Sequence, residues 1–208
     1  QMFCAWFPPQ PFWCGHGRSF ASPDQNEVRH PGRGVFCRLY RSCVLRILQG
    51  DLVAILPDLR DDSFENDFDA LIAHLTANAS SLGIDRDRIA LYAGSGNVSR
   101  ALPLVQKPKQ TVVKAAVMYY GSAQVSEFRR DLPILMVRAG LDRPPVNRAI
   151  ADLATLAANQ NAPLTLLNYA GGHHAFEIVD DEDATRDVID TTIEFVKRTT
   201  APAYQASL

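Results

Sequence analysis

The stretch Arg88-Ile-Ala-Leu-Tyr-Ala-Gly-Ser-Gly-Asn97 decides the fold of this 208-residue chain. Ile89 to Tyr92 is a short apolar run of the kind that forms a strand buried on both faces, and it leads into Gly94-Ser95-Gly96. An apolar stripe at helical spacing follows, at Val98, Ala101, Leu102 and Val105. A strand, a tight glycine turn and a helix in this order predict a βα unit with Ser95 at the carboxyl end of its strand.

The same alternation of strands and helices extends in both directions from this unit. Apolar runs predict strands at Leu52 to Leu56, Ala115 to Tyr120, Ile134 to Val137 and Leu164 to Leu167. Amphipathic stripes predict helices at Phe64 to Leu82, Val146 to Ala157 and about Ala184 to Arg198. We therefore expect an α/β fold, with a mostly parallel, doubly wound sheet that carries helices on both faces.

The first fifty residues do not follow this pattern. They are rich in Arg, Pro, Cys and aromatic residues without a sustained period, so the amino-terminal part is predicted to be irregular or incomplete. Within it, Pro11 to Gly17 is compatible with a short strand and Val35 to Gln49 with a helix. The expected organisation is a single domain over residues 1–208, with a poorly defined segment 1–50 and a recognisable core 51–200.

Composition and charge exclude several classes of partner. The formal net charge of -2 and the pI near 6.2 give no broad positive field for nucleic acid or anionic lipid. No apolar stretch approaches the roughly 20 residues of a membrane helix, and no basic leader precedes an apolar segment. The spacing of the four cysteines matches no zinc motif. We expect a cytoplasmic protein with a small-molecule partner and no metal, although disulfides among the cysteines stay an alternative to free thiols.

Two further polar residues follow predicted strands, as functional groups do in doubly wound sheets. Asp142 comes shortly after Ile134 to Val137, and His174 comes after Leu164 to Leu167 and the flexible pair Gly171-Gly172. Ser95, Asp142 and His174 are therefore the candidate nucleophile, acid and base of a catalytic triad. His174 would take the proton of Ser95, and Asp142 would fix the imidazole tautomer.

Further candidates lie around this set, and each has a plain structural alternative. The backbone N–H groups of Gly96 and of Gly17 are candidate oxyanion donors, and Tyr119 and Tyr120 are candidate substrate contacts at a strand end. The glycines around Ser95 could instead form a mere connection, Asp142 could simply start a helix, and His173 and His174 could be packing or surface residues. The acidic run Asp180 to Asp183 is interpreted as a helix start rather than a metal site.

Three segments together resemble the α/β-hydrolases, and more narrowly the dienelactone hydrolase-like serine esterases. They are Arg88 to Asn97, Arg138-Ala-Gly-Leu-Asp142 and Gly172-His-His-Ala-Phe-Glu177. In these families the base precedes a small residue and then Phe, a pattern that His174 matches and His173 does not. The resemblance covers roughly Leu52 to Arg198 and implies hydrolysis of a small-molecule ester or lactone through an acyl-enzyme, without a cofactor. A catalytically inactive relative that binds a ligand or partner is the alternative, because the segment that would carry an oxyanion loop is irregular.

Overall fold

The computed structural model describes residues 3–7, 52–55, 57 and 62–206. Within these residues one sheet contains the strands β1 (Phe3–Phe7), β2 (Val53–Ile55), β3 (Ile89–Gly94), β4 (Val113–Tyr119), β5 (Ile134–Ala139) and β6 (Leu164–Tyr169). Their order across the sheet is β2-β1-β3-β4-β5-β6. Strands β3 to β6 pair in parallel, whereas β1 is antiparallel to both of its neighbours. The predicted α/β fold with a mostly parallel sheet is confirmed.

Helices connect most of the strands along the chain, except that β4 leads to β5 through residues 120–133 without a helix. The helices are α1 (Phe64–Ala77), α2 (Ala79–Leu82), α3 (Val98–Val105), α4 (Pro144–Asn159), α5 (Phe176–Val179), α6 (Asp183–Thr199) and α7 (Pro202–Gln205). The stripe predicted for α1 buries Phe68, Ile72 and Leu75. Gly83 ends α2 in the left-handed conformation at φ 65°, where a side chain is strained. None of the helices in the described ranges is long and apolar enough to cross a membrane.

The core has a layer on each face of the sheet, because successive residues of a strand point to opposite faces. Met118 of β4 packs in one layer with residues of α1, α3 and α4. Its neighbour Tyr119 packs in the other layer, with Phe176 and residues of α6. Strands buried on both faces explain why β3, β4 and β5 appear in the sequence as nearly continuous apolar runs.

The amino-terminal strand is the main difference from the sequence prediction. No regular strand was expected before residue 11, yet β1 lies inside the sheet, where Phe3 pairs with Ala93 and Phe7 pairs with Val53. These partners lie far away along the chain, so local sequence periodicity carries no signal for the pairing. The strand predicted at Pro11 to Gly17 and the helix predicted at Val35 to Gln49 lie outside the described residues.

Candidate active site

Ser95 lies on a strained turn between β3 and α3. Its φ of 55° falls in the left-handed region, which a residue with a side chain seldom adopts outside functional turns. Residues Ser95–Asn97 form a single 3₁₀ turn, after which α3 begins at Val98. The approach of the next strand is close: a Cβ added to Gly121, just beyond β4, would meet the Ser95 carbonyl oxygen at 2.3 Å. The turn is thus held by backbone packing, and its serine side chain is only half-buried.

Asp142 lies in the turn between β5 and α4. Its side chain is 1% exposed, and its Oδ1 accepts a hydrogen bond of 2.7 Å from the backbone N–H of Arg143. Asn147, in the first turns of α4, donates to the carbonyl oxygens of Gly140 and Asp142, each at 3.2 Å. The bond from Arg143 fixes the carboxylate and those from Asn147 fix the turn, so that Oδ2 is left free to accept a hydrogen bond.

The loop after β6 carries His174 and is tied to the Asp142 turn. The backbone N–H of Gly140 donates to Tyr169, and that of Leu141 donates to Gly172, at 2.7 and 2.9 Å. The adjacent His173 is directed elsewhere, since its backbone N–H and its Nδ1 both bond to the Asp180 carboxylate at 2.8 Å. The two neighbouring histidines therefore have separate carboxylate partners.

The three side chains predicted from the sequence meet in one continuous hydrogen-bonded chain. His174 Nε2 lies 2.8 Å from Ser95 Oγ, and His174 Nδ1 lies 2.6 Å from Asp142 Oδ2. A neutral imidazole carries one proton, and the short bond to the carboxylate favours the tautomer with that proton on Nδ1. Nε2 is then an acceptor that faces the serine hydroxyl, which is the arrangement that proton transfer from the serine requires.

The two predicted substrate-contact tyrosines occupy different places. Tyr119 is 1% exposed, and its hydroxyl lies 2.6 Å from the Thr192 hydroxyl of α6, so the structure does not bring it to an open surface. Tyr120 lies at the site but is also buried, with 3% exposure. Its ring centroid is 4.7 Å from that of His174, at an interplanar angle of 56°. Tyr120 thus packs against one face of the imidazole.

Glu177 is a site residue that sequence reasoning missed. It is 6% exposed on the short helix α5, and the Tyr120 and Tyr92 hydroxyls both donate to its Oε1, the latter at 3.1 Å. Burial raises the pKa of the Glu177 carboxyl above its ordinary value, while these hydrogen bonds and the charge of His174 oppose the rise. The one available signal was its position, three residues after His174 in a quoted motif.

Some of the remaining predicted residues lie within the described ranges and one lies outside them. Gly96 follows Ser95 in the 3₁₀ turn and is exposed, with open space where a Cβ would stand. Gly17 lies outside the described residues. Asp181 and Asp183 pair with Arg186 at the start of α6, at 2.7 and 2.6 Å. Across the ranges that the structure describes, no three His, Cys, Asp or Glu side chains are grouped as metal ligands.

The chain is similar to known proteins in one sequence family and in its fold. The model of the dienelactone hydrolase family matches residues 100–200, a range that includes Asp142 and His174 but begins after Ser95. No curated protein sequence matches the chain. This match confirms the predicted resemblance to the dienelactone hydrolase family and covers two of the three sequence segments, and the solved structures that follow confirm the fold.

Three similar solved structures are esterases by name. Carboxyl esterase 2 of the fungus Tuber melanosporum aligns with a TM-score of 0.66 at 12% identity, over 79% of this chain and 74% of that chain. An esterase of the fungus Rhizomucor miehei gives 0.62 at 13% identity, over 78% and 68%. Esterase LipW of Mycobacterium marinum gives 0.64 at 12% identity, also over 78% and 68%. At these identities the likeness establishes a shared fold.

Proposed function

We propose, for a chain with an α/β-hydrolase fold whose residues 100–200 match the dienelactone hydrolase family, that it is a serine hydrolase of carboxylic esters or lactones. One observation carries the proposal. Ser95, His174 and Asp142 are joined by hydrogen bonds of 2.8 and 2.6 Å at the edge where the parallel strands end. A hydroxyl, an imidazole and a buried carboxylate in this order are the groups that acyl transfer to serine needs.

In the proposed reaction, Ser95 Oγ attacks the acyl carbonyl carbon while His174 Nε2 accepts the hydroxyl proton. The tetrahedral intermediate collapses to an acyl-enzyme when the bond to the leaving oxygen breaks, and His174 returns the proton to that oxygen. Water then attacks the acyl-enzyme, again with His174 as the base, and Ser95 is released with its proton. Asp142 stabilises the imidazolium in both steps through the bond to Nδ1.

The negative oxygen of the intermediate needs backbone donors. The N–H of Gly96 lies at the start of the helical segment after Ser95, where donors and the helix dipole favour negative charge. Gly17 is retained as the proposed second donor from its position in the sequence. This chemistry uses side chains and backbone only, so no cofactor is required, and a small-molecule ester or lactone is the proposed substrate.

Covalent labelling of the full chain by a fluorophosphonate tests the proposal. The probe reacts with serine hydroxyls that a neighbouring base has activated, so the wild type is expected to label and Ser95→Ala is expected not to. His174→Ala is expected to lose at least about 100-fold of the labelling rate. His173→Ala is the matched control, because the 60% exposed His173 side chain pairs with Asp180 and should retain wild-type labelling.

Two results would contradict the assignment. Equal labelling of wild type and Ser95→Ala would show that another group reacts with the probe. No labelling of correctly folded wild type, together with no turnover of a short-chain aryl ester, would instead favour the inactive ligand-binding relative.

A further inference from the structure

A buried carboxyl group lies behind the histidine and has no part in the proposed acyl-transfer steps. Glu177 is 6% exposed, and both hydrogen bonds from tyrosine hydroxyls converge on a single oxygen, Oε1. The other oxygen, Oε2, is buried without a hydrogen-bond partner among the described residues. Burying a carboxyl group with one oxygen unpartnered is costly, so its presence here calls for a physical reason.

The hydrogen bonds indicate which form of Glu177 the surroundings accommodate. Both tyrosine hydroxyls donate to Oε1, and an ionised carboxylate accepts at both oxygens and donates at neither. The two donors on Oε1 favour the carboxylate, whereas burial and the unpartnered Oε2 oppose its charge and raise the pKa of Glu177. The carboxylate form is therefore present above that raised pKa.

The charges of Glu177 and His174 are coupled. The positive charge of His174 lowers the pKa of Glu177, in opposition to burial, which raises it. Coupling between two ionisable sites is reciprocal, so an ionised Glu177 must favour the protonated form of His174 by the same free energy. In the proposed mechanism that protonated form arises when Ser95 gives up its proton.

Tyr120 contacts both Glu177 and His174. Its hydroxyl donates to Glu177, and its ring lies 4.7 Å from the His174 ring, centroid to centroid. Tyr120 itself has an unusual backbone φ of 34°, and it precedes Gly121, which touches the Ser95 backbone. Asp142 holds the edge of the imidazole, while the anchored tyrosine contacts its face, so the ring is restrained in two directions.

We propose that Glu177 is a positioning residue of this active site: it anchors Tyr120 against the face of His174, and its carboxylate stabilises the imidazolium formed when Ser95 is deprotonated. This inference rests on the proposed serine hydrolase function. In this role Glu177 touches neither the substrate nor Ser95, and it acts through the rings of Tyr120 and His174.

The neighbouring ionisable groups must be considered before a pH effect is assigned to Glu177. Arg143 is 78% exposed, with its Nε 3.9 Å from Asp142, and Arg186 is paired with Asp181 and Asp183. The groups that face His174 or Glu177 from the surrounding elements are Tyr92 from β3, Tyr120 after β4, Asp142 and Arg143 after β5, and His173 and Asp180 from their own loop. Asp181, Glu182 and Arg186 line the surface beside α6, next to Glu177, without a hydrogen bond to either group. Glu177→Gln changes the charge of none of them.

The test is the pH dependence of the rate at which a fluorophosphonate labels Ser95. Labelling requires the unprotonated base, so the rate falls on the acidic side as His174 gains a proton. In Glu177→Gln the imidazolium has lost a stabilising charge, so the acidic limb is expected at lower pH, with a plateau rate about tenfold lower. Glu182→Gln is the matched control, because it removes the same charge from an exposed position nearby and should leave the profile unchanged.

Tyr120→Phe provides the second variant, in case Glu177→Gln does not fold. This variant keeps the aromatic ring at position 120, the His174 ring and the Glu177 carboxylate, but it removes the hydroxyl that bonds Tyr120 to Glu177. A plateau labelling rate at least about threefold below wild type is expected. A Tyr120→Phe rate equal to wild type overturns the proposal.

The acidic limb separates the proposal from a purely structural role. If the labelling rate of Glu177→Gln is lower at every pH but its acidic limb is not displaced, the stabilisation of the imidazolium by Glu177 is overturned. If its pH profile superimposes on that of wild type, both this electrostatic role and the anchoring of Tyr120 are overturned. Failure of Ser95 to label in the wild type is a different result, because it removes the proposed function itself.

Discussion

Replacement of Gly172 by alanine tests whether the loop that carries His174 is held in position by close packing. A Cβ at Gly172 would lie 2.3 Å from Cδ1 of Tyr169 and 2.8 Å from Cε1. The shorter contact is about 1 Å less than the 3.4 Å at which ordinary van der Waals contact begins. The ring cannot easily yield, because the Tyr169 side chain packs on Phe176 at 5.3 Å and its hydroxyl lies 3.1 Å from that of Thr185.

The loop must therefore move by about 1 Å, and this movement affects the positions of both His174 and Asp142. Gly172 accepts a hydrogen bond from the backbone N–H of Leu141, next to Asp142, and His174 follows two residues later. A displacement of 1 Å costs about 100-fold in rate, and overpacking of this kind costs about 2 kcal/mol of unfolding free energy. For a domain of this size, that loss lowers Tm by about 4–8 °C.

Gly171→Ala is the matched control, since it makes the same change one residue earlier in the same loop. A Cβ at Gly171 would meet nothing closer than 3.9 Å, so the rate and Tm should stay near wild type. The measurements are the labelling rate at Ser95 and the thermal unfolding of each variant by circular dichroism. If Gly172→Ala and Gly171→Ala behaved alike in both measurements, the idea that contact with Tyr169 positions the base would be refuted.

Two further predictions concern the buried carboxyl groups. Asp142→Asn should lower the Ser95 labelling rate by about 10⁴-fold, because an amide favours the wrong tautomer of His174. Asp180→Asn alters the bond to His173 instead, and its labelling rate should stay within about threefold of wild type. Comparable losses in the two variants would contradict the assignment of the acid. The raised pKa of Glu177 means that the native state keeps a proton that the unfolded state has lost, so the unfolding free energy of wild type relative to Glu177→Gln should fall as pH rises above the ordinary value of 4.5. Urea unfolding of both proteins at several pH values measures this difference, and an increase with pH would be inconsistent with a carboxyl group destabilised by burial.

The part of the fold that the sequence predicts is the part whose structure follows from local periodicity. Strands β3 to β6 are apolar runs, most of them separated by amphipathic helices, so a mostly parallel sheet was predictable from the pattern, whereas the order of the strands comes from the structure. Ser95, Asp142 and His174 could be singled out because the carboxyl ends of parallel strands meet at one edge of the sheet. Their hydrogen bonds add the distances that the chain order cannot supply.

The pairing of strand β1 shows what sequence periodicity cannot predict. The segment Phe3–Phe7 is apolar throughout, and prolines follow it at once, so it has neither the period of a helix nor a neighbouring turn that would pair it locally. Its partners β2 and β3 are about 50 and 90 residues away. Pairings between distant segments are selected by the whole sheet, and a single sequence gives no means to rank them.

Tyr119 and Tyr120 show a second limit, because a sequence does not specify on which side of a turn a residue will point. Tyr119 is the last residue of β4 and follows its alternation into the layer beneath α6. Tyr120 comes after the strand, at φ 34°, and turns its ring to His174. Both tyrosines thus pack in one layer of the core, and Tyr120 in addition packs against the imidazole.

The position of His174 depends on aromatic packing on both sides of it in the chain. Gly172 lies against Tyr169, and Phe176 is fully buried among Tyr119, Tyr120 and Tyr169, with ring centroids 5.0 to 5.5 Å apart. Between these two contacts the backbone turns through Ala175 at φ 66°, a strained conformation that such anchoring can hold in place. Glu177, the next residue of the same helix, is buried as well. The segment that positions the base therefore also places a carboxylate behind it, which is why one short motif contains both groups.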